Sequence, residues 1–438
     1  MQNNTATTTA DNSSWHQSSN PYLDAIVVAI NVGGDSYVGV DGVKYAPDNL
    51  NIAAPILTSP HIKGTQDSTI FESYRQGNMS IDIPISNGTY DVTFKFAEPY
   101  DTPVGERVFD VLAQNKTVIE AMDVRLARDG KAISALVRTA NDIVVIDDTL
   151  RIGFKSIKGE PLLHAIIVRK QITDSRDWQL VWNDEFDYQG APDPLKWSHD
   201  LWAARKVNDE DQAYTDRAKN SRVEDGRLVI EAHKESYDNA EYTSARLHNL
   251  HKGDILYGKV DVRAKIPAGR GTWSAIWMLP SDPYTYSTTC AENEDWQGSS
   301  SCDAWPNSGE IDIMEHVGYD MQTIHGTVHN KAYYWINWEQ RKASVEGKTV
   351  DQEFHLYSVE WSPTHIIVSL DKRPYFYYHN EGTGWQAWPF DKPFHLIMNL
   401  AIGGQWGRSG GPIDDSIFPV RMEVDYVRIY QLPEVNTQ

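Results

Sequence analysis

The sequence predicts an all-β protein of two domains, and three observations carry that reading. Its strand-like runs are short, rich in Val, Ile, Tyr and Phe, and separated by turn formers such as Ser86-Asn87-Gly88. No long amphipathic helical pattern interrupts them. Tryptophan then divides the chain: of 15, one is Trp15, none lies in residues 22–170, and the rest begin at Trp178. Stretches so unlike in composition are not expected to share one core, so the 438 residues divide into separate folding units.

In order along the chain, residues 1–21 read as a flexible tail rich in Ser, Thr and Asn. Residues 22–170 read as a β-sandwich. Its strands are expected at Ala25–Val32, Met79–Ile83, Tyr90–Phe96, Arg107–Leu112, Ile143–Ile146, Leu150–Phe154 and Ala165–Val168. The polar stretch 171–176 is the expected linker. Residues 177–432 suit a two-sheet β-jelly roll, with strands such as Leu228–Ala232, Tyr257–Ile266, Ser274–Leu279, Glu310–Val317, Thr323–His329, His355–Trp361, His365–Leu370, His395–Leu400 and Val420–Gln431. Residues 433–438 form a short tail. No repeat of 20–50 residues is visible.

Charge narrows the partners. With 61 acidic against 40 basic side chains the formal net charge is −21, which repels nucleic acid and anionic lipid and disfavours a polyanionic substrate. A neutral polymer fits best. No apolar run approaches the roughly 18–20 residues that span a bilayer. The first residues lack the apolar centre of a signal peptide, so the chain is either cytoplasmic or a mature secreted form carrying an added Met1. A polymer substrate outside the cell favours secretion, and a monomer is expected. The only cysteines, Cys290 and Cys302, share one polar segment. Bridged, they would close a loop of about 13 residues, on the order of 3 kcal/mol in the chain-entropy model; two free thiols are the alternative.

The segment that carries chemistry is Gly309-Glu310-Ile311-Asp312-Ile313-Met314-Glu315-His316-Val317. Its β-branched residues favour a strand, in which Glu310 and Asp312 share one face and Ile311 and Ile313 the other. Glu315 stands at an odd offset and would point into the apolar side, at a cost of several kcal/mol for a buried unpaired acid. A β-bulge at Ile313–Met314 resolves the conflict by returning Glu315 to the acidic face. Three crowded carboxylates raise at least one pKa. Retaining glycosidases use two such groups about 5–5.5 Å apart, one attacking and one protonating the leaving oxygen. No Lys or Arg falls between Thr289 and Asn330 to make these acids ordinary ion pairs, although a solvated acidic strand is the alternative. Around the segment stand Trp305, Trp273 and Trp277, whose indoles suit the C–H faces of sugars, whereas Trp182, Trp197 and Trp361 read as core.

With these residues in place, the run from Trp305-Pro306-Asn307-Ser308-Gly309 to Glu315 resembles glycoside hydrolase family 16 in its bulged, laminarinase-type form. Further matches are Val181-Trp182-Asn183-Asp184-Glu185-Phe186, the set Asn208, Glu210, Gln212, Tyr214, and Thr243-Ser244-Ala245-Arg246. Trp273 to Pro280, His325-Gly326-Thr327-Val328-His329 and Val424 to Tyr430 complete the set. The resemblance implies a concave jelly roll with Glu310 as nucleophile, Glu315 as acid/base and Asp312 as auxiliary carboxylate. It places Asn208, Arg246, Trp273, Trp305 and His329 at the sugar, although Arg246 could be a plain ion-pair partner and His329 a packed strand histidine. It implies no cofactor for catalysis but a structural calcium at Glu185, Gly226 and Asp425, since oxygen ligands suit that ion. The insertion carrying Cys290, Trp296 and Cys302 departs from the family pattern and is expected to wall the cleft.

The first region resembles a malectin-type domain, through Ala29-Ile30-Asn31-Val32-Gly33-Gly34, Asp41-Gly42-Val43, Asn87 to Val92 and Phe94 to Glu98. That resemblance places Tyr45, Tyr74 and Tyr100 at a sugar, with Asp101 where a second aromatic would stand; an inert spacer is the alternative. For the whole chain the implied activity is endo-hydrolysis of β-1,3-glucan, with mixed β-1,3/1,4-glucan also open. The rivals are a hydrolase of a galactan such as agarose, a transglycosylase, and a non-catalytic glucan-binding protein.

Overall fold

The computed structural model describes residues 20–171, 174–290 and 294–433. Trp15, most of the expected first tail, part of the linker and most of the last tail lie outside the described residues. The described chain is built from β-strands joined by short helical turns, and the expected two-domain all-β architecture holds.

The first domain is a sandwich. One layer orders the strands Ile26–Asn31, Ala165–Lys170, Gly88–Ala97 and Ala135–Val145, and the other orders Met79–Pro84, Thr149–Lys158, Val108–Ala113 and Lys116–Met122. Met79–Pro84 alternates buried and exposed along its length, as a strand with one dry face must. Phe94, Phe96, Phe109 and Phe154 fill the space between the layers with edge-to-face and stacked contacts.

We label the strands that matter below: β1 Ala135–Val145, β2 Thr272–Pro280, β3 Glu310–Val317, β4 Thr323–His329, β5 Arg341–Glu346 and β6 Phe394–Ile402. The second domain stacks two large sheets. The inner one runs β5-β4-β3-β2-β6 and then Arg246–His248. The outer one includes Arg227–Tyr237, Val420–Gln431, Gly258–Lys265, His355–Trp361, His365–Leu370 and Arg373–His379. Ile311, Ile313, Met314, Met398 and Leu400 of the inner sheet pack against Val260, Val262, Val424 and Val427 of the outer sheet.

Several strands escape a reading of apolar pattern, among them Lys116–Met122, most of β1, Ala240–Ser244, β5 and Arg373–His379. Arg341 and Lys342 open β5 because both faces there have polar work; Arg341 lies 3.5 Å over the Tyr333 ring. The boundary between domains is also closer than composition suggests. Two large apolar clusters are separate, but a third joins Tyr22, Val43 and Ile167 to Ile367. Moreover β1 pairs in parallel with β5, Arg138 opposite Ser344 and Thr139 opposite Val345, so one sheet runs through both domains. The buried Arg138 guanidinium donates to Ser344 Oγ (3.0 Å) and Thr323 Oγ1 (2.8 Å), which satisfies part of a costly buried charge.

Candidate active site

The site begins at a backbone constraint. Gly309 holds φ +88°, and a Cβ there would meet Pro389 Cγ at 2.8 Å and Phe390 Cε1 at 3.0 Å, so glycine alone fits. It delivers Glu310 from the Ala304–Asn307 turn into β3. Against β2, Ile276 pairs with Met314 and Trp277 with Asp312, which leaves Ile313 without an opposite residue. Against β4, Asp312 pairs with Thr327 and Glu315 with His325, so two residues of β3 face Gly326 alone. This is the expected bulge. Ile311, Ile313 and Met314 are buried in the core, while Glu310, Asp312 and Glu315 line a cleft of ≈ 1220 Å³ on the concave face.

A bulge disturbs the ladder and frees a carbonyl, which must find a donor if buried. The buried Tyr375 hydroxyl donates to the Ile313 carbonyl at 3.3 Å. Gly326 makes that approach possible, because a Cβ at this position would stand 2.9 Å from the same hydroxyl.

The three acids have distinct surroundings. Trp305 Nε1–H donates to Glu310 Oε2 at 3.0 Å, and Glu310, Asp312 and His329 each bring one polar atom within 4.8 Å of the others'. His329 Nε2 lies 3.3 Å from Asp312 Oδ2 and 3.5 Å from Glu310 Oε1. At the other end of the bulge Trp273 Nε1–H donates to Glu315 Oε1 at 3.3 Å. Burial raises the pKa of Glu310 well above the usual carboxylate range, and Asp312 pushes it the same way. Asp312 is likewise raised by burial and by Glu315. Burial also raises Glu315, opposed by His329 and by Lys342 of β5. The stretch from Thr289 to Asn330 indeed holds no Lys or Arg, but Lys342 acts on Glu315 through space from two strands away, which a window along the chain could not reveal.

The cleft brings together all five expected subsite residues of this domain: Asn208, Arg246, Trp273, Trp305 and His329. Asn208 is held by Nδ2–H donation to Glu210 Oε1 at 3.2 Å; Glu210, itself buried, also accepts from Gln212 (2.8 Å). Arg246 pairs with Asp200 at 2.8 Å, lies over the rings of Trp202 (4.2 Å) and Trp277 (4.7 Å), and donates to Gln297 at 3.1 Å. Gln297 belongs to the insertion, in which Cys290 and Cys302 are joined as a disulfide; Trp296 and the residues after it wall the cleft. Trp406 is a lining residue that the sequence reading passed over. Its place just after the long apolar run of β6 is the signal that could have found it.

The first domain corrects two expectations. Tyr45 is 3% exposed and Tyr74 0%, so neither offers a ring face to a sugar. Tyr45 packs among Tyr22, Ile62 and Phe71, and Tyr74 stacks on His164 at 5.1 Å. Only Tyr100, at 57%, stands at the surface, and Asp101 beside it pairs with Arg125 at 2.7 Å.

Glu185 just after Gln179–Asp184, Gly226 just before Arg227–Tyr237, and Asp425 all fall near the middle of Val420–Gln431, where those two strands pair with its two halves. Their oxygens suit calcium. Both carboxylates, however, are engaged: Glu185 by Arg428 (2.9 and 2.8 Å) and Asp425 by Arg263 (2.6 Å), so an ion would have to displace those pairs.

Comparison with known proteins agrees with this geometry. The glycosyl hydrolases family 16 model matches residues 208–428, and the malectin domain model matches residues 26–169. A beta-glucanase of Rhodothermus marinus is 46% identical over 263 residues, 59% of this chain and 86% of that protein. A keratan-sulfate endo-1,4-beta-galactosidase of Sphingobacterium multivorum is 34% identical over 260 residues, 59% of this chain and 56% of that protein. The X-ray structure of the laminarinase from Rhodothermus marinus superposes with a TM-score of 0.53 at 45% identity, covering 60% of this chain and 100% of that one.

Proposed function

The chain belongs to glycosyl hydrolases family 16, and from that premise we propose that it is a retaining endo-β-1,3-glucanase of laminarinase type. The observation that carries this reading is the bulge in β3, which sets Glu310 and Glu315 on the same concave face with Asp312 between them. Glu310 attacks the anomeric carbon, and Glu315 gives its proton to the departing glycosidic oxygen. Water, deprotonated by Glu315, then releases the glycosyl group from Glu310. Trp305 orients Glu310 through the hydrogen bond described above, with Asp312 beside it tuning its charge, and a fixed nucleophile lowers the entropic part of the barrier.

An aromatic cleft that extends to both sides of the acids suits internal cleavage of a polymer. The net charge of −21 favours a neutral one. Mixed β-1,3/1,4-glucan is a second substrate of this reading. The galactosidase relative makes a galactan the rival. Product analysis on laminarin, lichenan and agarose, with Glu310→Ser as the inactive control, tests it. Oligosaccharides from laminarin are expected; release from agarose alone overturns the glucan assignment.

The same reading has the protein working outside the cell as a monomer. The disulfide favours an oxidising compartment, and no helix among the described residues is long and apolar enough to cross a membrane. It also includes a structural calcium on the outer sheet. Chelation should then lower Tm by several degrees, and an unchanged melting curve contradicts the ion.

A further inference from the structure

The catalytic cleft is not walled by the catalytic domain alone. Across the inner sheet, Arg246 lies on one side of β3, and β5, followed by β1 of the first domain, lies on the other. At that second end the first domain contributes Asp129 and Lys131 to the lining. Asp129 holds φ +57° at the tip of a turn, and its carboxylate stands 3.6 Å from Lys342 Nζ and 3.9 Å from Lys131 Nζ. Lys131 Nζ lies 5.9 Å from the centre of the Trp335 ring, which is 38% exposed and also lines the cleft. Lys342 in turn lies 5.7 Å over Trp406, whose ring contacts Trp273, the donor to Glu315.

This tip is fixed rather than loose. Just before it the buried Arg128 donates to Ser134 Oγ from Nε (2.9 Å) and Nη2 (2.7 Å). The neighbouring Gly64 N–H donates to Glu339 Oε2 of the second domain at 3.1 Å. With the β1–β5 pairing, these bonds set the segment against the catalytic sheet as one of its walls.

We propose that the first domain completes the polysaccharide site, with Asp129 and Lys131 forming, together with Trp335, a sugar-binding subsite at the end of the cleft opposite Arg246. A carboxylate acceptor beside an ammonium donor matches adjacent hydroxyls on one sugar ring, and the half-exposed indole offers a flat face to the C–H side of that ring. The ligand is a neutral hexose unit of the same chain that crosses the acids. The domain thus acts as part of the enzyme's groove, not through the buried tyrosines. This inference rests on the glucanase reading above.

The test measures kcat/KM and cleavage position on end-labelled laminari-oligosaccharides of increasing length, using the full chain and its Lys131→Ala and Trp335→Ala variants. Leu126→Ser, an exposed change on the adjacent turn outside the cleft, serves as control and should keep the parental pattern. Both cleft variants should lose on the order of tenfold in kcat/KM on long chains. The loss should grow with chain length, and the substrate should slide towards the Arg246 end, so that the preferred bond moves nearer the terminus lying on the Lys131 side. An unchanged length dependence and cleavage position, or an equal loss at every length, overturns the subsite. A parent inert on every laminari-oligosaccharide, yet active on a galactan, instead overturns the glucanase reading and the subsite with it.

Discussion

Aromatic residues of similar size do opposite work in the two domains. Tyr74 sits at the heart of the first sandwich, stacked on His164 and sealed from water. Trp305 and Trp273 sit on the open face of the second and give their N–H groups to carboxylates. Both domains are two-layered, so the difference lies in what covers each face. The inner sheet of the jelly roll leaves one side bare, whereas the faces that carry Tyr45 and Tyr74 are covered by packed side chains. An aromatic residue in a β-protein therefore announces a binding role only where its sheet face has no partner layer.

Removing the nucleophile should break the comparison most sharply. Glu310→Ala is expected to lower kcat on laminarin on the order of 10⁴-fold or more, and azide should rescue it to a glycosyl azide of α configuration. Glu315→Ala rescued by azide should give the β product, because there the covalent step survives. Identical azide anomers from both variants would show that the two roles are not divided as assigned.

Next in size is the pH response. Activity needs an ionised nucleophile and a protonated acid within one cluster. As pH falls, the cluster takes up its last proton and the rate drops; as pH rises, Glu315 loses its proton and the rate drops again. Because burial raises Glu315, the alkaline limb of kcat/KM should lie above the ordinary carboxylate value of about 4.3. Glu315→Gln assayed on an aryl glycoside with a good leaving group should lose that limb. A limb that persists assigns it to another residue.

A smaller effect is expected at the support of the bulge. Tyr375→Phe strips the Ile313 carbonyl of its donor, which should cost about 1–3 kcal/mol of stability. Displacing the acids should also lower kcat on the order of tenfold with KM little changed. Denaturant melts and steady-state kinetics measure both, and a variant with full kcat would free the bulge from dependence on Tyr375.

The smallest effect belongs to the first domain's surface. Tyr100→Ala should change retention of the full chain on insoluble β-1,3-glucan by less than about twofold, since the buried rings of Tyr45 and Tyr74 offer no face to a sugar beside it. A large loss of retention would restore a separate sugar site there.

Much of the catalytic strand was legible in the sequence, because an acid at an odd offset among β-branched residues forces a specific local geometry. The bounds of β3 and β4 were equally plain, since their apolar residues follow the expected alternation on either side of the bulge. What stayed hidden came from distant chain. Tyr375, Lys342 and Asp129 reach the acids' surroundings from other strands or the other domain, and no local pattern marks them. The β1–β5 pairing was hidden for the same reason: its residues are Arg138, Thr139, Ser344 and Val345, a mostly polar group that signals neither a core strand nor a domain joint. The tyrosines of the first domain misled because a family position fixes where a residue stands along the chain, not how neighbouring segments cover it.

Following the anomeric proton by NMR in the first minutes of laminari-oligosaccharide hydrolysis tests the central claim most directly. Two displacements at Glu310 predict that the β-anomer appears first and the α-anomer follows only by mutarotation. Initial release of the α-anomer would mean that water attacks the sugar in a single step, and the assignment of Glu310 as a covalent nucleophile would be contradicted.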